Sequence, residues 1–287
     1  MHKTSLRLPK EPVTVDRLPL RIGTNVSVER YNTFVVLREA PGYKFKLNAD
    51  GDVYIVDMAD SEHEAVISSL QAVFRVANGG VLWNPPIRVW GQPYHNAPGG
   101  GGLLVAPDVA VSPSNVQVQV PIMPYPGPPP GNSQNYPYAR IVCEVAIHQS
   151  TQDWEARCRN WLQEPYIRFV LGIKVHEKRI VRNPQGQYHR SMTARLWQQG
   201  APAPGFTMWD FGTLAKHSHI PTGCNAVGVP GFQIQIPTNE IFWDPPIVAG
   251  VPNLFGYVAV TPPAVAPIIV IDLYRIQQEI LTTQCNE

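Results

Sequence analysis

Two apolar runs of strand length, residues 103–111 and 139–147, dominate the hydrophobic pattern of this chain. Each carries one carboxylate, Asp108 in the first and Glu144 in the second. Runs of this kind read as strands. Upstream, Tyr43–Asn48 alternates apolar and polar residues, Ala49-Asp50-Gly51 is a turn signal, and Asp52–Met58 reads as the partner strand of a β-hairpin. Ala65, Val66, Leu70, Val73 and Phe74 then recur at helical spacing. With Asp60 or Ser61 as cap, Glu62 and Glu64 in the first turn and Asn78-Gly79-Gly80 as terminator, they predict an amphipathic helix over 61–77. Residues 25–37 fit a helix or a short strand, and 81–83 and 87–90 fit short strands.

Behind the second acidic strand, Ser150 or Thr151 caps a predicted helix running to about Leu162, with Trp154, Cys158 and Trp161 on one face. Tyr166–Val175 is a strong strand, so strand, helix and strand form a βαβ unit with parallel neighbours. Shorter strands are expected near 188–197, 206–211 and 232–236, and the periodicity of Ile268–Leu281 predicts a terminal helix. The expected fold class is therefore α/β (α+β). Its domain plan is an N-terminal arm (1–24), a main domain (25–243) with a Pro-rich insertion at 113–137, and a Pro-rich linker with C-terminal helix (244–287).

Composition narrows the functions. Thirty prolines in 287 residues, about twice the usual share, predict long surface loops, with polyproline character at Pro128-Pro129-Pro130. The charge balance, 23 basic against 22 acidic residues, gives no overall field for nucleic acid, so any DNA contact needs a local basic patch. Four cysteines at irregular spacing suggest reduced thiols. No run resembles a signal peptide or membrane helix, so a soluble intracellular protein, cytoplasmic or nuclear, is expected. His217, His219 and Cys224 lack a fourth zinc ligand at a familiar spacing, Gly99–Gly102 lacks the lysine of a phosphate loop, and no G-x-S-x-G occurs.

Lone carboxylates in apolar strands are costly to bury, and a divalent cation resolves that cost. Mg²⁺ is commonly held by one or two carboxylates, with waters and substrate phosphate completing its shell. Asp108 and Glu144 are the candidate ligands, and the Val145 carbonyl can join them.

Pro107-Asp108-Val109, then Glu144-Val145, a helix over Ser150–Trp161, the strand Tyr166–Val170 and Val229-Pro230-Gly231-Phe232 follow the hairpin turn Asp50-Gly51 and the helix start Ser61-Glu62-His63-Glu64. In that order, over about residues 40–243, they resemble the PD-(D/E)XK nuclease superfamily and, more closely, its Uma-two branch. The resemblance implies a restriction-endonuclease-like mixed central β-sheet flanked by helices. It also implies Mg²⁺- or Mn²⁺-dependent cleavage of DNA through Asp108 and Glu144, with a homodimer as one assembly. The pattern departs in its cations. Ala146 stands where the superfamily has lysine, Arg157 stands on the following helix where the branch often has lysine, and Lys174 lies on the next strand. Arg157 is the expected phosphate contact and Lys174 a second cationic candidate. The hairpin acid of the family is matched by Lys46, leaving Glu62 or Glu64 as substitutes. Arginine cannot act as a general base at ordinary pH, so a catalytically inactive binding or scaffold module of the same fold is the alternative.

Overall fold

The computed structural model describes residues 6–37, 42–98, 101–118, 131–134, 136–249 and 251–284. Pro128–Pro130 and most of the insertion around them lie outside these residues, as do Met1–Ser5 and Cys285.

The chain enters as β1 (Leu20–Gly23), followed by α1 (Val28–Leu37), which settles the ambiguous stretch as helix. The hairpin β2 (Tyr43–Leu47) and β3 (Val53–Met58) forms as expected, and β1 adds to it in the order β1-β3-β2. The last residues of the expected arm are thus a sheet strand. Leu6, Leu8, Phe34 and Phe45 pack together around Val53 beneath this small sheet. Helix α2 (Ser61–Val76) is capped by Asp60, whose carboxylate accepts from the His63 N–H at 2.8 Å.

Strand β4 (Ile87–Gly91) follows, but residues 81–83 are not a strand and Trp83 projects into solvent. The predicted strand 103–111 divides in two. β5 (His95–Asn96) pairs with β6 (Leu104–Val105), and only β7 (Val109–Pro113) enters the main sheet. Pro107, with no N–H to give a ladder, stands at the break. Asp108 is thereby left at the mouth of β7, where its N–H donates to the Cys143 carbonyl at 3.1 Å.

The βαβ unit is present. β8 (Ile141–Ala146) and β9 (Phe169–Arg182) pair in parallel, with α3 (Thr151–Trp161) between them. β10 (Tyr188–Gln198) and β11 (Phe206–Asp210) complete a six-stranded mixed sheet in the order β11-β10-β9-β8-β7-β4. Cys143 and Val145 of β8 pack toward Leu70 and Phe74 of α2, while Val142 and Ala146 pack with Trp154 and Cys158 of α3. Burial on both faces is why β8 reads as an unbroken apolar run.

Beyond β12 (Gln233–Pro237) and the short pair β13 (Ile247–Val248) and β14 (Val251–Pro252), the predicted terminal helix is corrected to a strand and a helix: β15 (Ile268–Asp272) and α4 (Leu273–Thr282). The β-branched run Ile268-Ile269-Val270-Ile271 favours strand. Asp272 then caps α4 by accepting from the Tyr274 and Arg275 N–H groups. β15 pairs antiparallel with β12, and Ile276 and Ile280 of α4 join the same core as α2. Residues 268–282 are therefore packed on the main body and are no free extension. The architecture is mixed α/β, with four α-helices among the described residues around a mixed central sheet.

Candidate active site

Asp108 and Glu144 are both 1% exposed or less and lie side by side, one at the mouth of β7 and the other within β8. The cation between them comes from a place the linear motifs did not indicate. Lys44, in the middle of β2, sends its Nζ to Asp108 Oδ2 at 2.5 Å and to the Val145 carbonyl at 2.8 Å, with Glu144 Oε2 at 3.5 Å. These are the three oxygen donors expected to converge on a metal ion. The Val145 N–H also donates to Asp108 Oδ2 at 2.7 Å, fixing the carboxylate against the backbone that carries Glu144.

Glu144 is held from the α3 side. Arg157 Nε lies 2.8 Å from its Oε2, and the Trp161 indole N–H donates to its Oε1 at 2.7 Å. The Arg157 guanidinium also donates to the Ala106 carbonyl at 2.6 Å, tying α3 to the segment before Asp108. Arg157 therefore lies beside the acid pair, engaged with Glu144. Lys174 does not join it: its Nζ donates to the Ile147 carbonyl at 2.6 Å, and it lines a different cavity. Lys46 pairs with Asp153 at 3.0 Å on the surface. Glu62 is engaged in a buried ion pair with Arg190, and Glu64 is exposed, so neither substitutes for a hairpin acid beside Asp108.

Two further groups complete the site. His63, in the first turn of α2, places Nε2 3.5 Å from Asp108 Oδ1. Asp57 on β3 is 1% exposed. Its Oδ1 accepts from the Met58 and His148 N–H groups, and its Oδ2 has no hydrogen-bond partner. Lys44, Asp57, His63, Gln92 and Asp108 line one open cavity of about 620 Å³. The sequence signal for His63 was its place at the helix start. Asp57 had no signal beyond being an acid in the hairpin.

The charges are strongly coupled. Burial alone would raise the Asp108 carboxyl, but Lys44 and then His63 hold it well below the usual carboxylate range. Burial opposes the charge on Lys44, yet Asp108 and Glu144 outweigh it and raise its pKa, so it stays an ammonium. Arg157 is raised in the same way, against burial, by Glu144 and Asp108. His63 is pushed down by burial and up by Asp108, with a net rise above its ordinary 6.5. The His63–Asp108 pair therefore adds stability that is complete below pH 6.5 and lost as the pH rises through the folded-state value. An NMR titration of the His63 ring is expected to show a midpoint above 6.5, and Asp108→Asn to bring it down. An unchanged midpoint in that variant would remove His63 from the site.

Among the described residues, no group of three or more His, Cys, Asp and Glu side chains could hold a metal by itself. The donor set suits a hard cation nonetheless. Asp108 Oδ1 and Glu144 Oε2 are buried with only cationic groups beside them, His63 Nε2 at 3.5 Å and Arg157 Nε at 2.8 Å, and the Lys44 ammonium stands in at the point where carboxylate and carbonyl oxygens meet. Mg²⁺ needs few protein ligands of this type and fills its shell with water and phosphate. No helix among the described residues is long and apolar enough to cross a membrane, and Cys143, Cys158 and Cys224 are buried free thiols. No protein-family model matches the chain and no curated protein matches it.

Proposed function

We propose that the chain is a metal-dependent phosphodiesterase of the PD-(D/E)XK nuclease type, with a restriction-endonuclease-like core resembling the Uma-two branch and DNA as substrate. One observation carries this reading. The lysine missing after Glu144 is supplied from β2, where Lys44 Nζ lies within 3.5 Å of both acids and 2.8 Å from the Val145 carbonyl. Asp108, Glu144 and the Val145 carbonyl would hold Mg²⁺ or Mn²⁺. When bound, the ion supplies Lewis-acid polarisation of the phosphodiester and lowers the pKa of an attacking water.

The chain's own residues do the rest. Lys44 and Asp108 line the same cavity, so the ammonium faces a phosphate seated there and stabilises the charge that builds on its oxygens. A raised pKa makes Lys44 an electrostatic stabiliser and not a general base. His63 lines the same cavity, and with its pKa raised by Asp108 it would be the proton donor to the departing oxygen. Arg157 and Trp161 orient Glu144.

A second reading rests on charge balance. Lys44 and Arg157 cancel Asp108 and Glu144, so a dication enters a site with no net negative charge, as expected of a metal-free binding module. Incubating the protein with supercoiled plasmid in Mg²⁺, in Mn²⁺ and in chelator separates the two. Nicking that requires metal supports the enzyme. Intact plasmid at every metal concentration, with no metal bound, leaves the binding module.

A further inference from the structure

The charge balance denies the whole protein a basic surface, yet the cations are unevenly placed. A second open cavity, of about 470 Å³, lies beyond the C-terminal end of β8. Its walls include Lys174, His176, Lys178 and Arg179 of β9, with Lys216 and His217 from the loop after β11. Glu177 is the only carboxylate among the described residues that line it. Three further acids lie near it: Asp60 pairs with His148 at 3.1 Å, the Asp57 charge acts on Lys174, and the Asp210 carboxylate accepts from the Lys216 backbone N–H at 2.8 Å. Arg179 and Lys216 have no acid at ion-pair distance among the described residues, and Ser150 and Thr151 bring the N-terminal end of α3 to the same space.

We propose that this cavity binds a phosphate group, either free or as part of a nucleic-acid strand. Lys174 is the buried anchor: it is 6% exposed, and among the described residues its ammonium has the Ile147 carbonyl as its one acceptor. Held there, a side chain with three donors has hydrogens to offer an anion. Arg179 and Lys216 stand at the half-buried rim, where a guanidinium and an ammonium make charge-assisted bonds to phosphate oxygens. The cluster also bears the mark of crowded positive charge. Lys174 is pushed down to about 8, first by burial, with Arg190 and Lys216 adding to it against the opposing charge of Asp57. His176 is pushed down to about 4 by burial, Lys216 and Lys174. A dianion relieves both. The proposal does not depend on catalysis at Asp108, since Lys174 is not a partner of that acid pair.

The test follows the ring signals of His176 and His217 by NMR in the full chain while inorganic phosphate is added at constant ionic strength. A parallel titration uses a short single-stranded oligonucleotide in the presence of chelator. Saturable shifts of these rings are expected, with Arg179→Glu and Lys216→Glu each weakening binding about tenfold or more. Both substitutions are at half-buried positions, and an unchanged melting temperature confirms their folding. Response to phosphate alone identifies a free-phosphate site, and response to the oligonucleotide identifies a strand. No saturable shift with either ligand, or equal binding by both variants and the wild type, overturns the proposal.

Discussion

Lys44→Ala is expected to lose DNA cleavage and to melt at a lower temperature, with Mg²⁺ restoring the melting temperature but not the cleavage. The Lys44 side chain is 11% exposed and Asp108 is 1% exposed, so the substitution leaves a buried carboxylate without its closest cation. Breaking such a pair from one side costs about 3–5 kcal/mol, because the remaining charge is left uncompensated. His63 at 3.5 Å and the Val145 N–H still support Asp108, which places the loss toward the lower end of that range. A divalent ion that binds only the folded chain then contributes RT ln(1 + [L]/Kd), about 2.7 kcal/mol at a hundredfold excess over Kd. Cleavage stays low, by about 10²–10³, because a preorganised cation facing the phosphate is gone. Thermal melts with Mg²⁺ against Na⁺ at matched ionic strength provide the check. A variant as stable as the wild type, or one whose stability ignores Mg²⁺, would show that the acids are not a cation site.

Gly172→Ala is expected to be the most damaging single methyl added to the sheet. Its Cβ would stand 2.5 Å from Trp154 Cζ2 and 2.8 Å from Trp197 Cζ3. Both indoles are buried, in a T-shaped contact with centroids 5.7 Å apart, and Trp154 donates to the Glu144 carbonyl at 3.2 Å. Neither ring can retreat without moving α3 or β10. Overpacking of this kind costs about 1–3 kcal/mol, and two rigid rings place it at the upper end. Because α3 also carries Arg157 and Trp161, its displacement disturbs the hold on Glu144, so cleavage falls together with stability. Denaturant midpoints measure the first effect and plasmid nicking the second. A variant within about 0.5 kcal/mol of wild type would mean that β9 and α3 do not approach this closely.

The contrast between these two positions shows what the sequence disclosed. The βαβ unit around Gly172 was legible because β8 and β9 are buried on both faces, and the apolar runs that follow from such burial stand out in any window. The acids were legible for the same reason, as single charges inside those runs. Lys44 was not, because it reaches the pair from a strand 64 residues before Asp108 and 101 before Val145, a separation that no local spacing encodes. Its own hairpin misleads further. β2 and β3 slip register between Lys44 and Phe45, and the surface lysine Lys46, paired with Asp153, occupied the position matched to the family pattern.

Other differences have similarly local causes. Pro107 breaks the first acidic run and leaves Asp108 at the mouth of β7. At the C-terminus, Ile271, Tyr274, Ile276 and Ile280 repeat at spacings that suit a helix, but the β-branched stretch before Asp272 pairs with β12 first. Lys174 faced no acid in the sequence and faces none of the pair in the fold. Its register partner across the parallel ladder is Ala146, two residues past Glu144, and its ammonium turns to the Ile147 carbonyl.

The central claim is that Asp108, Glu144 and Lys44 form one cation-dependent phosphodiesterase site. Calorimetric titration of the wild type and of Asp108→Asn with Mn²⁺ tests it most directly. The account predicts saturable binding at one site per chain in the wild type and its loss in the variant. No binding to the wild type at millimolar metal, or the same binding to both proteins, would contradict it.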